Sequence, residues 1–103
     1  MAKRILIVED NELNLKLFCD LLRAHGHDIR PVGDGREVLH EARDFAPDLI
    51  IMDIHLPHVS GLDLIIALKA DAALRATPIM AVTAYAGKGD EDRIRAAGAE
   101  AYV

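Results

Sequence analysis

Three unbroken apolar runs, Ile5-Leu6-Ile7-Val8, Leu49-Ile50-Ile51-Met52 and Ile79-Met80-Ala81-Val82, recur about 30 to 45 residues apart in a chain of 103 residues. Four consecutive apolar side chains point alternately to both faces of a strand, so each strand must be covered on both sides, as in a parallel sheet between helical layers. The intervening stretches supply the helices: Glu12 to His25 closes at Gly26, Arg36 to Phe45 closes before Pro47, and Leu62 to Leu74 closes before Pro78. Asp28-Ile29-Arg30-Pro31-Val32 alternates polar with apolar and contains a proline, which places it at a sheet edge. Gly87 to Gly98 reads as a weaker, polar helix and Ala99 to Val103 as a fifth strand. Right-handed crossovers turn this alternation into an α/β, doubly wound parallel sheet of five strands.

One stretch is ambiguous. On the first helix Leu13, Leu17, Leu21 and Ala24 form one apolar stripe, while Leu15, Phe18 and Leu22 form a second, about 120° away at 100° per residue. One stripe can face the sheet; the other is expected to need a neighbouring helix.

The length suits residues 1–103 as one domain. Twelve Lys plus Arg against 17 Asp plus Glu leave a formal charge of −5, a field that repels nucleic-acid backbones and anionic lipid and argues against both as partners. Cys19 is the sole cysteine, which fits a reducing, cytoplasmic setting; no apolar run is long enough to span a membrane, and none reads as a signal peptide.

Chemistry concentrates at one sheet edge. Glu9 and Asp10 follow the first buried strand, Asp53 follows the second, and Thr83 ends the third. Strands of an open parallel sheet share their carboxyl edge, so these groups converge on a crevice. Three neighbouring carboxylates repel unless protons or a cation neutralise them, and hard oxygen ligands on a small acidic site suit Mg²⁺. Asp10 alone could instead cap the first helix; that reading does not reach Asp53, which is followed by Ile54-His55-Leu56-Pro57-His58.

Val8-Glu9-Asp10-Asn11, Met52-Asp53-Ile54-His55-Leu56-Pro57 and Val82-Thr83-Ala84 resemble the signature of response-regulator receiver domains. Lys16-Leu17-Phe18 and Ser60-Gly61-Leu62 make the chain similar to single-domain cell-division response regulators of the DivK type. The resemblance implies a flavodoxin-like strand order 2-1-3-4-5. It also implies that Asp53 accepts a phosphoryl group from a histidine kinase or phosphotransfer protein, switching contacts with downstream proteins. By the same resemblance Asp10 and Asp53 bind Mg²⁺, Glu9 acts through water, and the His55 backbone carbonyl is a further ligand. Thr83 would hydrogen-bond the phosphoryl oxygen, and Tyr102 would be the aromatic switch residue. Such a protein is a phosphoacceptor switch rather than an enzyme.

Two other classes remain open. An aspartate-nucleophile phosphohydrolase shares the strand-end aspartate but usually needs a second aspartate two residues later, where this chain has His55. A receiver-shaped interaction module that is never phosphorylated is the other. The family places a Lys-Pro about two residues past Val103 and then a fifth helix, so the sequence reads as C-terminally truncated. The stripe of Leu15, Phe18 and Leu22 is accordingly expected to stay uncovered and drive self-association. His55 and His58 read as a solvated loop, His25, His27 and His40 as surface residues, Cys19 as an inert, partly buried thiol, and Tyr85 as either a loop residue or a gate to the pocket.

Overall fold

The computed structural model describes residues 3–54, 56, 59–82 and 90–102, with Asp90, Glu91, Ala101 and Tyr102 described by backbone alone. The strands are β1 (Arg4–Val8), β2 (Asp28–Val32), β3 (Leu49–Asp53), β4 (Ile79–Val82) and β5 (Ala101–Tyr102). All pair in parallel in the order β2-β1-β3-β4-β5, the flavodoxin-like order expected. The helices are α1 (Glu12–Ala24), α2 (Val38–Phe45), α3 (Gly61–Ala70) and α4 (Asp90–Ala97). The two edges among the described residues are β2, with Pro31 opposite Ile7, and β5.

The alternation of the strands divides the interior in two. Leu6, Val8, Ile50, Met52, Ile79 and Ala81 pack against α2, α3 and α4 through Val38, Ala42, Leu64, Ile65, Leu68 and Ile94. Ile5, Ile7, Ile29 and Ile51 face the other way, onto α1.

On α1 the structure reverses the expected division of labour. Leu15, Phe18 and Leu22, expected to be uncovered, pack on the sheet around buried Cys19, whereas Leu13, Leu17 and Leu21 are 59–66% exposed. Counting Cys19 explains this. Residues 15, 18, 19 and 22 follow the i, i+3, i+4, i+7 rule of a full-width buried face, while 13, 17 and 21 form a narrower row.

Two helix limits differ from expectation. α3 stops at Ala70 because Asp71 adopts an extended conformation and its carboxylate accepts the Ala73 N–H, so Leu74 lies in the following turn. The second helix opens with a 3₁₀ turn over Gly35–Glu37, capped by Asp34. The expected Gly87 start of α4 lies outside the described residues; the observed helix begins at Asp90.

Candidate functional site

β1 and β3 are adjacent and parallel, so their carboxyl ends deliver Glu9, Asp10 and Asp53 to one place. The Glu9 N–H donates to Val32 O at 3.1 Å, which anchors the turn out of β1. The Asn11 N–H then donates back to Glu9 Oε1 at 3.1 Å. Asn11, not Asp10, caps α1: its side-chain oxygen accepts the Asn14 N–H at 3.0 Å. The capping explanation for Asp10 therefore falls, and its carboxylate joins the cluster instead. Asp53 ends β3 opposite Val82, and the next N–H, of Ile54, donates to Val82 O.

One carboxylate oxygen from each of Glu9, Asp10 and Asp53 can be chosen so that all three lie within 4.8 Å of one another. Glu9 is 7% exposed, Asp53 is half-buried and Asp10 is exposed. Burial pushes the Glu9 carboxyl up from 4.5 to about 7; the charges of Asp53 and Asp10 and a hydrogen bond shared with Asp53 add to the rise against the Asn11 N–H. A site that raises a carboxyl this far toward its neutral form is one that a dication can neutralise. Oxygens bound to one Mg²⁺ at about 2.1 Å are at most about 4.2 Å apart, so small side-chain rotations would bring oxygens of this cluster to ligating distance. The donor set is all oxygen, as Mg²⁺ requires.

Residues 5–103 match the response regulator receiver domain. The chain belongs to that family. The receiver domain is 55% identical over all 103 residues to the polar-differentiation response regulator DivK of Brucella ovis, and equally to that of Brucella melitensis, covering 84% of each relative. Among solved structures, the chemotaxis protein CheY4 of Vibrio cholerae superposes with a TM-score of 0.94 at 24% identity, covering 100% of this chain and 86% of that one. The receiver domain of a sensor histidine kinase from Pseudomonas aeruginosa, which has a magnesium ion coordinated in its active-site cleft, matches with a TM-score of 0.90 at 33% identity. That match covers 100% of this chain and 84% of that one. The α/β fold read from the apolar runs is thus that of a receiver.

The other expected site residues divide simply. Thr83, His55, His58 and Tyr85 lie outside the described residues. Tyr102 is described by its backbone, in β5 beside Ala81 of β4. His25 and His40 are exposed, and His27 Nδ1 accepts the Lys3 N–H at 3.2 Å. Cys19 is 4% exposed, and burial raises its thiol pKa, as suits an inert group. Sequence reasoning missed what stands behind Asp53: the first residue of α3, Gly61, presses on the backbone of Asp53 and Ile54. The Ser60-Gly61 pair, a capping residue followed by a residue without a side chain at a helix start, was the available signal.

Proposed function

We propose that this receiver domain is a two-component phosphoacceptor switch in which Asp53 takes a phosphoryl group from the phosphohistidine of a kinase or phosphotransfer protein. The observation that carries the reading is the gathering of Glu9, Asp10 and Asp53 at the ends of adjacent buried strands, with Glu9 driven toward a neutral form. One Asp53 carboxylate oxygen forms the new O–P bond as the donor's P–N bond breaks, and the donor imidazole departs with the electron pair. Bound Mg²⁺ supplies charge neutralisation for the phosphoryl oxygens. Asp10 and Asp53 would hold it directly, Glu9 through water and the His55 carbonyl as a further ligand. The acyl phosphate is hydrolysable, so the modification is transient and the protein acts as a signal rather than an enzyme with an external product.

Thr83 hydrogen-bonding to the phosphoryl oxygens and Tyr102 following it belong to the same proposal, since an added charge of about −1.5 to −2 attracts a nearby hydroxyl. The output is a changed protein-binding surface at the carboxyl edge of the sheet. The resemblance to the polar-differentiation response regulator DivK supports a place in cell-cycle control, the single cysteine supports the cytoplasm, and the net charge of −5 supports protein partners rather than nucleic acid or membrane. Self-association is assigned to α1, where Leu13, Leu17 and Leu21 are exposed beside a groove of about 190 Å³ lined by Asn14, Leu17, Phe18 and Leu21.

Intact-mass measurement after incubation with acetyl phosphate and Mg²⁺ tests the central step. A single added phosphate that is labile to hydroxylamine and dependent on Mg²⁺ supports it. An unchanged mass with both acetyl phosphate and a phosphorylated kinase favours the unphosphorylated interaction module instead.

A further inference from the structure

The start of α3 lies against the end of β3, beside Asp53. Ser60 caps α3 by accepting the Leu62 N–H at 3.2 Å, and Gly61, the first helical residue, donates its N–H to Ile54 O at 3.1 Å. The helix start therefore lies directly behind the peptide that follows Asp53. A Cβ on Gly61 would stand 2.6 Å from Asp53 O, 2.6 Å from Ile54 Cα and 2.9 Å from Ile54 O. All three are backbone atoms, so no side-chain rotation relieves the overlap; either α3 or the end of β3 must move.

Gly35 offers a contrast within the same core. Its Cβ would meet Leu56 Cδ1, Leu64 Cδ1 and Val59 Cβ, each at 3.3 Å. Two of these are the ends of flexible leucine side chains, and each contact needs to give by only a few tenths of an ångström.

We infer that Gly61 is a positioning residue for the carboxylate site, its missing side chain setting the distance between α3 and the Asp53 backbone and so the placement of the Asp53 carboxylate against Glu9 and Asp10. The inference rests on the reading of that cluster as a Mg²⁺ and phosphoacceptor site. Its physical basis is general. Metal ligands work only when groups behind them fix their orientation, and disturbing such groups weakens affinity without removing a ligand. The β3 end is held on its other side by the Ile54 N–H bond to Val82 O, so displacement by a Cβ tilts the Asp53 peptide rather than sliding the whole strand.

The experiment is a calorimetric Mg²⁺ titration of the unsubstituted protein, Gly61→Ala and Gly35→Ala, paired with urea unfolding and with acetyl phosphate labelling over a range of Mg²⁺ concentrations. Gly61→Ala is expected to bind Mg²⁺ about tenfold more weakly and to need correspondingly more Mg²⁺ for half-maximal labelling, while Gly35→Ala stays within about twofold of the unsubstituted protein. A glycine needed only for folding would lower the urea midpoint and leave Mg²⁺ half-saturation of the folded protein unchanged; that result overturns the inference. Equal loss of affinity in both variants overturns it too, because the effect would then be one of general loop packing.

If Gly61→Ala does not fold, Ser60→Ala loosens the same helix start without adding an atom, by removing the side-chain acceptor of the Leu62 N–H next to the Gly61 to Ile54 bond. Weaker Mg²⁺ binding in folded Ser60→Ala supports the inference, and unaltered binding removes it. Absence of both Mg²⁺ binding and labelling in the unsubstituted protein defeats the functional reading and this inference together; normal binding there with no effect in the variants defeats this inference alone.

Discussion

Carboxylates stand at both ends of the same parallel sheet, and the two ends treat them in opposite ways. At the amino ends of the strands, Asp48 accepts the Arg4 N–H at 2.9 Å, and Glu100 accepts the Ile79 N–H at 2.7 Å while pairing with Lys69. Lys69 also donates to the carbonyls of Arg75 and Thr77. Asp71 accepts from Arg43 at 2.7 Å and from the Ala73 N–H. Burial raises the Glu100 pKa, but the Lys69 and Ile79 donors more than offset it and hold the carboxyl below its usual range; Asp71 is held low by Arg43 first and the Ala73 N–H second. At the carboxyl ends, Glu9 is buried beside Asp53 and Asp10 and pushed up to about 7. Acids at the first end are matched by the chain itself and tie it together. Those at the second are set against one another, a conflict that a retained proton on Glu9 or a bound cation relieves, and such local conflict is expected at functional sites.

The largest effect separating the two ends should come from Asp53→Asn. The substituted protein should fold and lose acetyl phosphate labelling altogether in intact-mass measurement; labelling as full as in the unsubstituted protein would move the acceptor elsewhere.

Next is the pH dependence of the ion-free protein. The folded Glu9 carboxyl keeps its proton up to about pH 7, whereas in the unfolded chain it loses it near 4.5. The folded state therefore binds more protons between these values, and stability should fall as pH rises through that window, by roughly 3 kcal/mol in all. Urea midpoints of the unsubstituted protein and Glu9→Gln should diverge in that sense, and saturating Mg²⁺ should flatten the difference. Parallel curves would show that the crowding of acids is harmless.

At the matched end, Glu100→Ala takes the acceptor from the Ile79 N–H and the counter-charge from Lys69, which keeps its two carbonyl acceptors, and a loss of about 1–2 kcal/mol in urea unfolding is expected with Mg²⁺ affinity unchanged. Asp10→Asn should do the reverse, weakening Mg²⁺ about tenfold, or about 1.4 kcal/mol, with little loss of stability. The smallest effect belongs to the exposed Lys16–Asp20 pair on α1, at 2.6 Å. Lys16→Ala should leave the urea midpoint and the site essentially unchanged, because solvent screens so exposed a pair. A larger drop would mean that α1 carries more of the fold than its single buried residue, Cys19, implies.

The carboxyl edge was legible in the sequence because it obeys a local rule. Glu9, Asp10 and Asp53 follow buried runs that can be seen in four residues, and parallel strands must share an edge. What the sequence hid lies in long-range matching. Lys69 and Glu100 are 31 residues apart, and no periodicity pairs them. The orientation of α1 was misjudged because Cys19 was not counted as part of the buried face. The end of α3 depended on the competition of a single side chain, Asp71, with the helix backbone. The degree to which Glu9 is buried follows from the Asn11 turn and the β2 neighbour, neither of which the local pattern specifies.

Pro31 on the edge strand has a consequence for how copies of this chain meet. Asp28 donates to Lys3 O and Val32 accepts from Glu9, so residues 28, 30 and 32 turn their backbone groups toward β1, while Ile29 and Pro31 turn theirs outward. A ring nitrogen at position 31 removes a donor where the ladder does not need one and an incoming strand would. The β2 border is therefore a poor template for strand addition, and fibrillar growth along the sheet is obstructed at the outset.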